Sequence, residues 1–387
     1  MILFVSKGYI LSISSRIDIP EHHCYTEFKG GRSMKNESVL VGMSGGVDSS
    51  VTAFLLKEAG YNCVGCTMLL HESPCGGEDH TADARSVADR LEIPFHIFDF
   101  RSDFSDKVIG NFISCYETGE IPNPCIECNK YLKFGAMLEK ALNMDCGYVA
   151  TGHYAQVRHD PHTGRYLLYK AADRAKDQTY FLYGLTQHQL AHTLFPLGGL
   201  TKEQAREIAE VQKFVNARKR DSQDICFVPD GDYVAFMEKY LGKTYPGGNY
   251  LDLQGNVVGK HRGAVCYTIG QRKGLGIALG APVYVCGKDM QKNTVTVGPN
   301  EALFSPALRA NNWNWFPFPE LTEPMEVTAK IRHSQTEQPA TVYPEENGFA
   351  RVVFHQPQRA ITPGQAVVLY QGDMVIGGGT ITDALTI

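Results

Sequence analysis

The chain has 387 residues, 43% hydrophobic and 20% charged, a balance that suits a soluble globular enzyme of two or three domains. A net charge of −5 excludes a global basic field that would advertise nucleic acid, but it leaves room for a local basic surface. No apolar run reaches the length of a membrane span, so no membrane association is expected. Eleven cysteines, an odd number without regular spacing, do not form a disulfide framework, and a cytoplasmic, reducing location is expected.

Residues 1–33 open with an apolar stretch that has no preceding basic region and no small-residue cleavage site, so they make a poor signal peptide. Met34 is expected as the natural start, with residues 1–33 an upstream extension or a loose tail. His22-His23-Cys24 has the look of a metal fragment, but it lies in this extension, and no metal site is expected. The run Val39 to Met43 predicts a buried strand, Ser44-Gly45-Gly46 a tight turn, and Asp48 onward a helix carrying Val51, Phe54 and Leu55 and ending at Gly60. A second strand is expected over Cys63–Leu69, a loop containing Cys75-Gly76-Gly77 after it, and a helix over 81–92. Phe95–Phe98 reads as a third strand, and Phe104, Val108, Phe112 and Tyr116 at steps of four as a helix.

Pro122 and Pro124 predict an extended segment before a helix from about Asn129 to Asn143, with Leu132, Ala136, Leu138 and Leu142 as its apolar positions. Tyr148–Ala150 reads as a strand ending at Thr151-Gly152-His153-Tyr154, and Tyr166–Lys170 as another. Thr201 and Gln204 have capping-box spacing for a helix through Phe214. The segment 216–227 is a basic patch running into a buried-looking Cys226. Strands alternating with helices predict a doubly wound parallel α/β sheet over 34–240, with ligands beyond the strand C-termini. The glycine-dense stretch 241–304 predicts a small turn-rich domain. Residues 305–387, with strands at Met325–Ile331, Phe349–Phe354 and Ala366–Tyr370, predict a closed β-barrel.

A glycine turn feeding a helix N-terminus is an anion site, because unpaired N–H groups and the helix dipole both face the ligand. No lysine follows these glycines, so this is not the GxxxxGK[ST] loop. Most of the cysteines suit burial as small hydrophobes. Cys63 and Cys66 point to opposite faces of one strand, and Cys125-x-x-Cys128 lacks the second pair that a zinc site needs. Cys128 and Cys226 stand out. The first sits near a helix start with Lys130 and Lys133 close by, and the second follows Arg218-Lys219-Arg220. The basic run 218–220 fits a solvated face or phosphate contact about equally well.

Ser44-Gly45-Gly46-Val47-Asp48-Ser49-Ser50 resembles the PP-loop of ATP pyrophosphatases, which split ATP between the α and β phosphates. With Asn123-Pro124, Cys128-Asn129-Lys130, Thr151-Gly152-His153-Tyr154-Ala155, Lys176-Asp177-Gln178-Thr179, Ser222–Phe227 and Thr268–Gly276, the chain from about residue 37 to its end resembles the bacterial tRNA-specific 2-thiouridylases. The resemblance implies a tRNA-uridine 2-sulfurtransferase that thiolates the wobble uridine, position 34, of Lys, Glu and Gln tRNAs. It implies that Gly42, Met43, Ser44, Gly45, Gly46, Val47, Asp48, Ser49, Met68 and Gly152 hold ATP, with Mg²⁺ on the phosphates.

The resemblance further implies Cys128 as nucleophile and Cys226 as persulfide carrier, able to join in a disulfide. Asn123, Pro124 and Cys125 would face the target base. His153, Lys176, Asp177, Gln178, Arg332, His333 and Gln365 would touch tRNA. The partners implied are tRNA and a protein that donates persulfide sulfur, a cysteine desulfurase or a sulfur carrier. Some members carry Asp where this chain has Cys125, which leaves Asp48 or a water as the general base and Cys125 unassigned; Cys125 is also a second candidate nucleophile, with Cys128 favoured because Cys-Asn-Lys matches around it. Two other functions stay open on the residues alone. A PP-loop amidotransferase or synthetase acting on a small molecule would not use the paired cysteines and the β-rich tail. An RNA-binding module without chemistry would leave Cys128 and Cys226 unexplained.

Overall fold

The computed structural model describes residues 37–71, 80–219 and 225–386. The extension with His22-His23-Cys24, the Cys75 loop, Arg220 and the segment 222–224 lie outside the described residues. The chain divides into two compact units. One takes the described residues up to Ser105, from Ile126 to Ser222 and from Asp373 to Val375; the other takes the rest.

The first unit is built on β1 (Ser38–Gly42), β2 (Asn62–Leu69), β3 (Phe95–Asp99), β4 (Tyr148–Ala150) and β7 (Thr193–Leu194), in the order β3-β2-β1-β4-β7. Every pairing in this sheet is parallel, with Val39 opposite Cys63 on one side and Tyr148 on the other. The strand sequences are short and apolar, as parallel strands covered on both faces must be. Helices α1 (Val47–Glu58), α2 (His80–Arg90) and α6 (Lys202–Val211) cover it. Val39, Val41, Val51, Leu56, Val87, Leu197 and Ile208 form one core between them. A capping box closes the start of α6, since Thr201 Oγ1 accepts from Gln204 N–H and the Gln204 side chain returns the bond. An antiparallel hairpin, β5 (Ala155–His159) with β6 (Tyr166–Lys170), is added to the expected elements. Its first strand was not expected, because only four residues separate it from the end of β4.

The helix α4 (124–143) begins at Pro124, five residues before the expected start. Proline suits the first helical position, where its missing N–H is no loss. Residues Cys128–Ala136 of α4 wind as a π-helix. The wider turn shifts the phase of the apolar stripe, so Met137, Leu138 and Ala141 are buried and Leu142 is exposed, against expectation.

The second unit contains a four-stranded sheet in the order β10-β11-β8-β9, where β8 is Gly248–Leu251, β9 Val257–His261, β10 Tyr284–Asp289 and β11 Thr294–Gly298. This is the turn-rich stretch of the sequence. It also contains a closed six-stranded barrel of β12 (Phe304–Trp315), β13 (Met325–Lys330), β14 (Gln338–Pro344), β15 (Ala350–Arg359), β16 (Ala366–Gln371) and β17 (Met374–Leu385). Closure comes from β12 pairing with both β15 and β17. Leu308, Val342, Val352, Val367 and Leu369 fill its interior. Among the described residues no helix is long and apolar enough to cross a membrane.

Candidate active site

The strand order reverses at β1, so the chain leaving β1 and the chain leaving β4 diverge and open a crevice at the strand C-termini. Met43 fixes the exit from β1: its N–H donates to Cys66 O (2.7 Å) and its carbonyl accepts from Thr67 Oγ1 (2.6 Å). Gly45 then adopts φ 70°, a left-handed conformation that glycine reaches without strain. Ser44 N–H donates to Ser49 Oγ (3.2 Å), and the hydroxyls of Ser49 and Ser50 donate back to Gly46 O (3.1 and 3.0 Å). No side chain caps α1 at Gly46. The N–H groups of the first turn of α1 are therefore available to an anion, with the helix dipole behind them.

Gly152, just after β4, packs directly on that turn. A Cβ there would stand 2.8 Å from the Asp48 carbonyl carbon and 2.9 Å from Ser49 N. Asn216, buried beneath the loop, places Nδ2 within bonding distance of Gly45 O (3.1 Å), Gly46 O (3.2 Å) and Ser50 Oγ (2.9 Å). Asn216→Ala should strand these acceptors and destabilise the first unit by about 1–3 kcal/mol, measured by denaturant unfolding.

Asp48 sits in the first turn of α1 and is held from two sides. The Tyr154 hydroxyl donates to Oδ1 (2.9 Å), and Lys202 Nζ donates to both carboxylate oxygens at 2.8 Å. Lys202 is only 5% exposed. Neither Lys202 nor Asn216 was expected at the site. The sequence carried one signal for Lys202: it is a cation in the first turn of a helix, where the dipole disfavours it. Met68, half-buried near the end of β2, lies in register with Phe98 and beside the Met43 anchor.

His153 is buried between the rings of Phe134 and Phe195, and its Nδ1 bonds Thr151 Oγ1 at 2.7 Å. Burial, with Lys133 nearby, holds its pKa well below the ordinary range, so the ring is neutral. Enclosed in this way, His153 orients the Gly152 turn from behind. In the loop 171–179, Asp177 accepts from Ala171 N–H (2.9 Å) and Thr179 Oγ1 (2.6 Å), and Gln178 Oε1 accepts from Tyr154 N–H (3.0 Å). Their side chains brace the loop beside Lys176. Of the basic run, Lys219 pairs with Asp83 (2.7 Å) and Arg218 projects into solvent.

Cys128 is 8% exposed. It lies one turn inside α4 rather than at the helix start. The same helix sets Met137 against the end of β1: Met137 Sδ is 3.3 Å from where a Gly42 Cβ would stand and 3.6 Å from Cys66 Sγ. Asn129 Nδ2 donates to Phe181 O (3.0 Å) and Gln189 Nε2 to Lys130 O (2.9 Å), which pins the cysteine's neighbours. Cys63 and Cys66 are buried free thiols pushed up to about 12 by desolvation, and so are chemically inert.

In the second unit, Cys226 is exposed rather than buried. A turn closed by Val228 N–H on Ile225 O (2.9 Å) splits the apolar run, and Phe227 and Val228 go inward, Phe227 edge-on to Phe112. Cys125 is exposed as well. Gln365 Nε2 donates to Ile121 O (2.8 Å), so this residue of the β16 entry braces the segment leading into Asn123-Pro124. Arg332 donates to Ala360 O, and His333 is exposed. Among the described residues no three His, Cys, Asp or Glu side chains converge on a metal-sized site.

A parallel sheet with an uncapped glycine loop at its reversal point defines a nucleotide-handling α/β domain of PP-loop type. The sequence agrees: the family model for the tRNA methyl transferase HUP domain matches residues 37–230, the PRC-barrel model 234–299, and the aminomethyltransferase beta-barrel model 305–381. The chain belongs to the family of tRNA-specific 2-thiouridylases. It is 49% identical to the tRNA-specific 2-thiouridylase MnmA of Acetivibrio thermocellus, covering 90% of this chain and 100% of the relative. It is also 49% identical to the protein of that name from Halothermothrix orenii, covering 90% and 99%. Among solved structures, the U34-tRNA thiolase NcsA of Methanococcus maripaludis aligns over 61% of this chain and 74% of its own, at 18% identity and a TM-score of 0.37.

Proposed function

We propose that the chain is an ATP-dependent tRNA 2-sulfurtransferase acting on the wobble uridine, position 34, of Lys, Glu and Gln tRNAs. The observation that carries this is the docking of the cysteine helix on the strand that feeds the phosphate loop: α4 holds Cys128 and seats Met137 against Gly42, the last residue of β1, two positions before Ser44. The loop is suited to a polyphosphate, because Gly152 lets the turn after β4 pack tightly against it and no side chain caps the first turn of α1 that follows it. Ser44 to Ser49 would hold the phosphates and Met68 the base. Mg²⁺, when bound near Asp48, would neutralise phosphate charge.

The chemistry then falls into two parts. The uridine 2-oxygen attacks the α-phosphorus, pyrophosphate leaves, and an O–AMP ester remains. A poor leaving group has become a good one. Cys226 carries a persulfide delivered by a donor protein. The Cys128 thiolate attacks Cys226 Sγ and frees the outer sulfur as hydrosulfide; this adds to C2, and AMP departs. A Cys128–Cys226 disulfide is left, to be returned to two thiols by a dithiol reductant. Asn123 to Cys125 would face the base. Lys176, Arg332 and His333 would contact the tRNA, with Gln178 and Gln365 shaping the segments beside them.

Incubation with ATP, sulfide and unmodified tRNA, followed by nucleoside analysis, should yield 2-thiouridine. Its absence, with AMP release intact, would count against sulfur transfer. Affinity for tRNA should fall by about tenfold or more between 50 and 200 mM salt, since neutralised phosphates release counterions. A flat salt dependence would favour a small-molecule substrate.

A further inference from the structure

The phosphate loop has backbone dipoles and hydroxyls but no cation of its own, whereas a triphosphate brings several negative charges. We propose that Lys202 supplies that cation and contacts the β and γ phosphates of the bound nucleotide. The inference rests on the ATP reading given above. Four observations carry it.

Lysine is seldom buried, and here only 5% of the residue is exposed. It opens α6, where the helix dipole opposes a positive charge, and its backbone N–H is bound by Asp173 Oδ2 at 3.0 Å. Its ammonium group spans 154 residues of sequence to reach Asp48, bonding both carboxylate oxygens at 2.8 Å. Asp48 in turn stands in the uncapped first turn of α1, with a side chain that keeps 30% exposure.

A buried ion pair is a weak source of stability, and apolar residues of the same volume often do as well. Stability alone therefore gives little reason to set a cation there. Position gives a better one: the ammonium lies on the carboxylate that borders the anion-receiving N–H groups, with the Tyr154 ring beneath it at 5.9 Å. A lysine side chain has the reach to keep one bond to Asp48 and turn another N–H toward an incoming phosphate.

The test uses the full chain and two probes, a non-hydrolysable α,β-methylene ATP analogue and AMP, each titrated calorimetrically. Lys202→Met should weaken the triphosphate analogue by about 10–100-fold, the range of a charge-assisted contact. AMP affinity should change by less than about threefold. Lys202→Arg should recover most of the loss. Asp48→Asn combined with Lys202→Met removes the stranded charge, and it should restore the thermal midpoint without restoring triphosphate affinity. Parallel loss of AMP and the triphosphate analogue, or triphosphate affinity unchanged in Lys202→Met, overturns the assignment. A wild-type chain that takes up neither nucleotide overturns the ATP reading itself.

Discussion

Cys128→Ser is expected to abolish 2-thiouridine formation, by at least about 10³-fold, while nucleotide uptake stays at the wild-type level. Serine replaces sulfur with oxygen at nearly equal volume, so a site only 8% exposed accepts it without rearrangement. Oxygen fails on chemistry: a hydroxyl is not ionised near neutral pH and does not open a persulfide. Cys226→Ser should be equally inactive, because no sulfur can be loaded. Cys125→Ser separates the two cysteines of α4 and should keep most of the activity. Nucleoside analysis by mass spectrometry reads all three. An active Cys128→Ser, or an inactive Cys125→Ser with Cys128 untouched, would move the nucleophile to Cys125.

The second large effect belongs to Gly152. Gly152→Val should cost about 3 kcal/mol and remove measurable ATP binding. The reason is geometric: the first added carbon meets Asp48 backbone at 2.8 Å and Ser49 N at 2.9 Å, and backbone on both sides has little freedom to retreat. Relief requires the turn after β4 and the start of α1 to part, which opens the crevice where they meet. The unfolding midpoint and a nucleotide titration should both fall. A variant that kept full affinity would mean that this turn lies outside the nucleotide site.

Much of the first unit was legible in the sequence because its signals are local. Short apolar runs gave the parallel strands, Gly45 and Gly46 gave the turn, and Thr201 with Gln204 gave the cap of α6. The barrel was legible as strands between turns. What failed was longer in range or depended on context. Pro124 reads as part of an extended segment, yet it occupies the one helical position that welcomes proline, so α4 starts five residues ahead of the expected Asn129. The π-turns of α4 could not be read from residue type, and they misdirected Leu142. Cys226, between Ile225 and Phe227, reads as buried, yet a single turn sends Phe227 in and leaves Cys226 out. Lys202 and Asp48 meet across most of the first unit, and nothing near either residue names the other.

The two proposed sulfur-handling thiols live in different solvent regimes: Cys128 is enclosed and Cys226 is open. An exposed cysteine beside an anchored phenylalanine is reachable by a large donor, and equally by any small thiol or peroxide in the surroundings. On the proposed chemistry, the chain separates intake from use. Whatever interrupts supply acts first at Cys226, leaving the nucleotide crevice and the enclosed thiol ready, so that loss of cargo need not mean loss of the machine.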